Sequence, residues 1–182
     1  MLLAIEEQSN LTKGLFSMMT NYILKDGAEI HVMNVVNLPN LDAFQQIITH
    51  DLRELVEELG TPVKSGFSFK KFIVDTGAFI LVTHQKKLIA CLTFTVQRIP
   101  TKTRGIIDDV VVAEEWRRRG VGRILIERAI MLAREYQCDY VQLTTTKDNV
   151  VACKFYEAIG FRNVEGEKPL YRYHDQTTKE HH

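Results

Sequence analysis

The densest group of residues that could bind an anion lies between an apolar run and an amphipathic segment. A helix that begins there would leave its first backbone N–H groups unpaired and would place the positive end of its dipole beside them. Glycine has no Cβ, so an anion can approach those N–H groups closely. The group therefore predicts a phosphate or diphosphate site, and a solvated basic helix start with capping glycines is the alternative. Its members are Arg117, Arg118, Arg119, Gly120, Val121, Gly122 and Arg123.

Two common phosphate-binding loops do not fit this group. A nucleotide P-loop needs Gly-Lys followed by Ser or Thr, and that triplet is absent from the sequence. A dinucleotide-binding loop needs a third glycine where Leu125 stands, and its glycines follow the strand directly. Here residues 113–119 intervene. The predicted anion site is therefore of another kind.

A pair of adjacent carboxylates, Asp108 and Asp109, interrupts the apolar run Ile106–Val112. Such a pair is costly in a strand unless it is ion-paired, solvated or functional. Strand alternation sends the two side chains to opposite faces, although a bulge would change this. We prefer Asp108 as a general base because it shares a side with Ile106 and Val110. Asp109 is the second candidate, and surface acids or a proton-carrying water chain are the other interpretations.

A third group lies on a helix predicted over residues 150–159. Asn149 stands where a side chain can cap this helix. Tyr156 follows seven residues later, two turns along, and so projects on roughly the same side. Each residue also has a structural explanation, Asn149 as a cap and Tyr156 as a packed ring with its hydroxyl at the rim.

The two motifs together resemble the GNAT superfamily of acetyl-coenzyme A-dependent N-acyltransferases. The first follows that family's pattern Gln/Arg-x-x-Gly-x-Gly/Ala. The second follows Asn-x-x-Ala-x-x-Phe-Tyr-x-x-x-Gly-Phe, and the detailed match covers about residues 106–161. The matching positions are Arg117, Gly120 and Gly122, then Asn149, Ala152, Phe155, Tyr156, Gly160 and Phe161.

The resemblance implies acetyl-CoA as a cosubstrate, with no metal. The amides around residues 118–123 would hold its diphosphate, and Asn149 would hydrogen-bond the pantetheine arm. The arm would pair with a strand backbone as an added strand does. Tyr156 would meet the departing thiolate, and Lys154 would lie near the adenosine or on a solvated helix face. The remaining cofactor contacts are Val110, Val111, Val112, Ala152 and Phe155, and an N–H near Val110 or Val111 would serve the oxyanion.

The activity implied is acetyl transfer to a primary amine by direct attack in a ternary complex. The acceptor would be a small molecule or a protein amine. The segment Leu143–Thr146 lacks the acid of glucosamine-6-phosphate N-acetyltransferases and the Leu-Glu-Val-Arg strand of N-terminal protein acetyltransferases. A non-catalytic CoA-binding regulatory module and an acetyltransferase of aminoacyl-tRNA are the alternatives.

Composition limits the partners and the compartment. The chain has 182 residues and a formal net charge of zero, so broad electrostatic binding to nucleic acid or membrane is not favoured. Three scattered cysteines lack disulfide or zinc spacing, which is typical of a reducing compartment. We therefore expect a cytoplasmic protein with no membrane partner.

The elements needed to position these groups follow from periodicity. Apolar spacing predicts a helix over residues 11–23 that Gly27 would end, and further helices over 67–75 and 122–136. The predicted strands include residues 29–36 and 170–174. The order βααβββαβαβ predicts an α/β fold with a mixed, mostly antiparallel sheet and helices on both faces. The sheet would splay between its fourth and fifth strands, residues 103–112 and 140–146. A single domain is expected over 1–182, with a helical extension over 1–27, a core over 28–176 and a tail over 177–182. The extension is a candidate homodimer contact or acceptor lid.

Overall fold

The computed structural model describes residues 19–35, 51–58, 63–64, 66–68, 71–72 and 77–164. These residues fall into two compact units. The first lies within the bounds Met1–Thr144 and the second within the bounds Thr145–His182. The first unit contains the sheet and the predicted anion site. The second contains the helix with Asn149 and Tyr156. The expectation of one domain over the whole chain stays a prediction.

Six strands form one sheet in chain order, and each pairs with the next. The four successive pairs among the first five strands are antiparallel. The last pair is parallel, so its strands need a crossover helix between them. The mixed, mostly antiparallel sheet predicted from the sequence is confirmed. The strands are β1 (Met19–Ile23), β2 (Glu29–Val35), β3 (Gly77–His84), β4 (Lys87–Ile99), β5 (Lys102–Val112) and β6 (Tyr140–Leu143).

The described residues also include α-helices and a short 3₁₀ turn. Residues 51–57 form α1, which buries Leu52 and Leu55. A short 3₁₀ turn, Glu114–Trp116, precedes α2 (Val121–Glu135), which is the crossover between β5 and β6. The second unit contains α3 (Val150–Ala158). Of the predicted helix over 67–75, residues 71–72 are helical, and the predicted last strand over 170–174 lies outside the described residues.

The helix predicted from apolar spacing over residues 11–23 is wrong at residues 19–23. These residues form β1, whose Met19 and Tyr22 stand opposite Met33 and Ile30 of β2. Gly27 has φ 84° and closes the tight turn between the strands, where it was expected to end a helix. Pairing with β2 supplies the backbone hydrogen bonds, and tertiary context overrides the local helical pattern. Residues 1–18 of the extension lie outside the described residues.

The core is centred on β3 and β4. Residues 78–82 and 88–94 are buried without a break. Neighbouring strand residues point to opposite faces, so both faces of the sheet are covered here. Helix α2 lies against β3, β4 and β5 and buries Leu125, Ile126 and Ala129. This packing fixes the start of α2 beside the end of β5.

The predicted splay lies between β5 and β6. Their pairing begins at Arg104 opposite Tyr140 and ends at Ile107 opposite Leu143. Strand β6 stops there, three residues before the predicted end at residue 146, whereas β5 continues to Val112. Among the described residues, the last part of β5 has β4 as its one strand neighbour. The edge of residues 108–112 that faces away from β4 is called the open edge below.

Candidate active site

A β-bulge lies at the beginning of the open edge. Cys91 of β4 stands opposite Val111 and Thr93 stands opposite Asp108, so Asp109 and Val110 share the single position between them. Asp109 has φ 46°, in the left-handed region. A bulge inserts one residue, bends the strand and re-aims side chains. It therefore breaks the strict alternation that the sequence predicts for the two carboxylates.

The bulge changes the surroundings of both acids. Asp108 and Asp109 are both exposed. The hydroxyl of Thr93 donates to Asp109 Oδ2 over 3.1 Å. Thr93 is buried, with 7% of its surface exposed, and the sequence analysis did not identify it. A threonine inside the apolar run of β4 could have marked this position as a candidate site residue. Its partner, however, depends on the pairing register between β4 and β5.

Asp108 has the electrostatics of a candidate base. Asp108 is exposed, but partial desolvation of its carboxyl raises the pKa above the ordinary value, and the neighbouring charge of Asp109 raises that pKa further. A carboxyl whose pKa moves toward neutrality is a better proton acceptor at the chemical step. Desolvation combined with a like charge is typical of functional carboxylates.

Backbone direction decides which amides face the open edge. The N–H of Ala113 donates to the carbonyl of Ile89 on β4 over 2.9 Å. Successive backbone groups of a strand point to opposite sides, so the N–H groups of Val112 and Val110 point to the open edge. The N–H of Val111 points toward β4. Of the two candidates for the oxyanion amide, this geometry favours Val110 over Val111.

The start of α2 has the predicted features of an anion site. Gly120 is the N-cap residue with φ 92° and no side-chain cap, and Arg118 has φ 65°. The first bond of the helix runs from the Ile124 N–H to the Gly120 carbonyl over 3.2 Å. The N–H groups of residues 121–123 therefore have no acceptor within the helix. A Cβ built on Gly120 would meet nothing within 4 Å, so the approach is open.

Three of the four arginines have acidic partners within the protein. Arg117 is ion-paired with Glu58, and Arg119 is ion-paired with Asp26. Arg123 lies 3.6 Å from Glu127 on its own helix. The Arg118 guanidinium has no ion pair among the residues that the structure describes. The protein's own acids therefore offset part of the positive charge around this helix start.

Asn149 is the N-cap of α3 in the second unit. Its Oδ1 accepts a hydrogen bond from the N–H of Ala152 over 3.1 Å. The side-chain oxygen thus has the structural role that the sequence allowed. The amide nitrogen of the same side chain keeps two donors for a ligand. Lys154 is exposed on this helix, and Phe155 is half-buried.

Tyr156 is half-buried on α3 among aromatic rings. Its ring centroid lies 5.3 Å from that of Phe155 and 6.1 Å from that of Phe161, the second contact being edge-on. Burial raises the pKa of its hydroxyl above the ordinary value, and the neighbouring Cys153 raises it further. Tyr156 therefore stays protonated at neutral pH and can donate a hydrogen bond.

Cys91 is buried, and burial raises the pKa of its thiol far above the usual range. No cluster of three His, Cys, Asp or Glu side chains suited to a metal ion occurs among the described residues. Within the same part of the chain, no helix has the length and apolar character that crossing a membrane requires.

The family model described as Acetyltransferase (GNAT) family matches residues 41–161. The N-alpha-acetyltransferase 30 of Dictyostelium discoideum is 32% identical over 126 residues, which are 68% of this chain and 66% of that protein. The matched segment is 25% of the Xenopus laevis protein of the same name. The chain thus spans less than two thirds of the length of these curated relatives.

Solved structures share the fold. An aminoglycoside acetyltransferase from an uncultured soil metagenomic sample superposes with a TM-score of 0.61 at 20% identity, covering 80% of this chain and 95% of that one. An aminoglycoside N-acetyltransferase in complex with CoA superposes with a TM-score of 0.60 at 14% identity, covering 82% and 97%. The chain belongs to the GNAT family of acetyltransferases.

Proposed function

We propose that this chain transfers the acetyl group of acetyl-CoA to a primary amine by direct attack in a ternary complex. The observation that carries the proposal is the juxtaposition of two features within the first unit. The amide-rich start of α2 follows directly on the strand with the open edge. A diphosphate joined to an extended amide-bearing arm needs both features in this order.

The binding role is divided between backbone and side chains. The N–H groups of residues 121–123 would hold the diphosphate, and the left-handed backbone at Gly120 keeps the approach free of a Cβ. Val112 would pair with the pantetheine arm through its outward N–H. Bound acetyl-CoA supplies a thioester, which is an acyl donor activated toward amines. On the second unit, the Asn149 amide nitrogen would donate to the same arm.

Three groups of the chain would assist the transfer. Asp108 would accept a proton from the attacking ammonium, and its raised pKa suits that role. The Val110 N–H would donate to the developing oxyanion. Tyr156 would donate a hydrogen bond to the leaving sulfur. A phenol has a pKa of about 10 and a thiol about 8.5, so hydrogen-bond donation is easier than full proton transfer.

We propose the α-amine of a protein as the acceptor. This choice is supported by the Dictyostelium relative, which carries the name of an N-alpha-acetyltransferase and is 32% identical over 126 residues.

A thiol-release assay with matched acceptors tests both parts of the proposal. Each peptide is used in two forms, one with a free α-amine and a blocked lysine, the other with a blocked α-amine and a free lysine. We expect release of CoA with the first form only. Release with aminoglycosides or amino sugars but no peptide would contradict the acceptor class. CoA binding without release on any amine would overturn catalysis in favour of a binding module.

A further inference from the structure

Two acidic residues far apart in the sequence contact the loop that leads into α2. Arg119 Nε lies 2.6 Å from Asp26 Oδ2, and Arg117 Nη2 lies 3.1 Å from Glu58 Oε2. We propose that Asp26 and Glu58 are positioning residues that hold this loop in its anion-binding shape. The inference rests on the proposed function, because it assigns these carboxylates to the binding of the same diphosphate.

The contact with Asp26 is built from both sides. Asp26 Oδ1 accepts a hydrogen bond from the Ala28 N–H over 3.1 Å, which fixes the carboxylate within the β1–β2 turn. The Arg119 guanidinium carbon lies 4.0 Å from the centroid of the Trp116 ring. Trp116 is buried with 8% exposure, and its ring lies 4.7 Å from that of His84. Arg119 therefore joins the loop to a fixed turn on one side and to a fixed ring on the other.

The contact with Glu58 reaches the end of β5. Arg117 Nε donates to the carbonyl of Val112 over 2.9 Å, while its Nη2 atom is held by Glu58. The Val112 carbonyl points to the open edge. Because it accepts this bond from Arg117, it is not left unpaired there. Arg117 thus links α1, the last residue of β5 and the loop. The link fixes the direction in which the chain leaves the strand toward Gly120.

The sign of the charges indicates what these acids do. A carboxylate close to a diphosphate repels it, so each acid lowers affinity through Coulomb interaction alone. Two acids beside an anion site can still favour binding. This requires that each acid stabilises the binding conformation of the loop by more free energy than its charge costs the bound anion. Preorganising a loop reduces the ordering that binding would otherwise require. Loss of either acid should then weaken binding, the opposite of what charge alone predicts.

The test compares CoA affinity in Asp26→Asn, Asp26→Glu and Glu58→Gln by calorimetry. We expect Asp26→Asn and Glu58→Gln to raise the Kd for CoA roughly three- to tenfold, because partly exposed ion pairs are modest. Asp26→Glu keeps the charge and should recover most of the affinity. The melting temperature should stay near that of the unchanged protein. Saturating acetyl-CoA should restore kcat, so that the defect appears in KM.

Glu115→Gln is the matched control, since it removes an acid from the same loop. Its carboxylate lies 3.9 Å from Lys87, with both side chains largely exposed, and it should leave the Kd unchanged. Unchanged or tighter CoA binding in Asp26→Asn and Glu58→Gln would overturn the inference while leaving the proposed function intact. If the unchanged protein binds no CoA, the proposed function and the inference fail together.

Discussion

Thr93 and Asp109 are joined across the β4–β5 pair at the bulge, where the threonine hydroxyl donates to the carboxylate over 3.1 Å. The bond holds the Asp109 carboxylate at the bulge, beside Asp108. The charge of Asp109 in turn raises the pKa of its neighbour Asp108. A buried threonine thus acts on the candidate base through an intermediate carboxylate.

Removing the charge of Asp109 should change the pH dependence of the reaction. With Asp109→Asn, the like charge that raises the Asp108 pKa is lost, so that pKa falls. The base is then deprotonated at lower pH, and the acidic limb of kcat/KM moves to lower pH. The measurement is a pH profile with one acceptor of fixed pKa. Glu127→Gln, an exposed acid on α2, is the control; an equal shift there would rule out a specific effect.

Asp108→Asn should reduce activity and increase stability. General-base catalysis contributes roughly 10²- to 10⁴-fold, and we expect a loss of kcat in that range. The Asp108 pKa is higher in the folded state than in the unfolded state, so folding favours the protonated form. The free energy of unfolding therefore falls as the pH rises from the unfolded-state pKa of Asp108 to its folded-state pKa. The Asn variant has no carboxyl to ionise and does not lose this stability.

Thermal unfolding at neutral and at acidic pH checks the second half of this prediction. The variant should melt at a higher temperature than the unchanged protein at pH 7. The difference should vanish once Asp108 is protonated in both states. A lower melting temperature at pH 7 would show that the charge is stabilising, contrary to the direction argued here.

Tyr156→Phe should lower kcat and leave CoA affinity almost unchanged. A hydrogen bond to a charged partner contributes about 1.5–3 kcal/mol, which corresponds to a rate loss of roughly 10- to 150-fold. The ring contacts with Phe155 and Phe161 remain in the variant, so the fold of the second unit should be kept. Turnover equal to that of the unchanged protein would remove Tyr156 from the mechanism.

Gly120→Ala should weaken CoA binding through the backbone. A Cβ there meets no protein atom within 4 Å, but φ 92° strains any L side chain, at about 1–2 kcal/mol. Relaxation of that strain would turn the amides of α2 away from the ligand. Gly66→Ala is the matched control, with φ 75° and equally open space. Calorimetry should show a similar stability loss in both variants and weaker CoA binding in Gly120→Ala alone.

Gly105→Ala should destabilise the sheet without any contact to the site. Its Cβ would lie 2.8 Å from two ring atoms of the fully buried Phe94. Overpacking of this kind costs about 1–3 kcal/mol, or roughly 2–4 °C in melting temperature for each kcal/mol. Phe94→Leu should relieve part of the clash. The double variant should therefore lose less stability than the sum of the losses in the two single variants. Additive losses would contradict the close contact.

The elements with strong periodicity could be predicted from the sequence. The predicted start of β2 and end of β5 are those observed, and α2 begins within one residue of its predicted start. These runs are apolar, are bounded by turn residues and carry one dominant period. The site motifs could also be predicted, because the glycines and Asn149 are residue types that mark the beginnings of helices.

The remainder depends on contacts between distant segments. β1 has apolar spacing that also fits a helix, and pairing with β2 decides against it. The bulge at Asp109 depends on the register between two strands, which the sequence of β5 alone does not encode. Asp26 lies 93 positions from Arg119, and nothing in the local sequence links the two. Such pairs become visible when the fold brings them together.

The open edge of β5 has a consequence for solubility. A strand edge with free backbone groups is a template on which another chain can add, and proteins block such edges with charge or with bulges. Here the edge beyond Ile107 begins with two exposed carboxylates on a bulge. These two acids thus also oppose self-association through this edge. Loss of both charges would leave the coenzyme-free protein prone to edge-to-edge aggregation, from which a bound coenzyme would protect it.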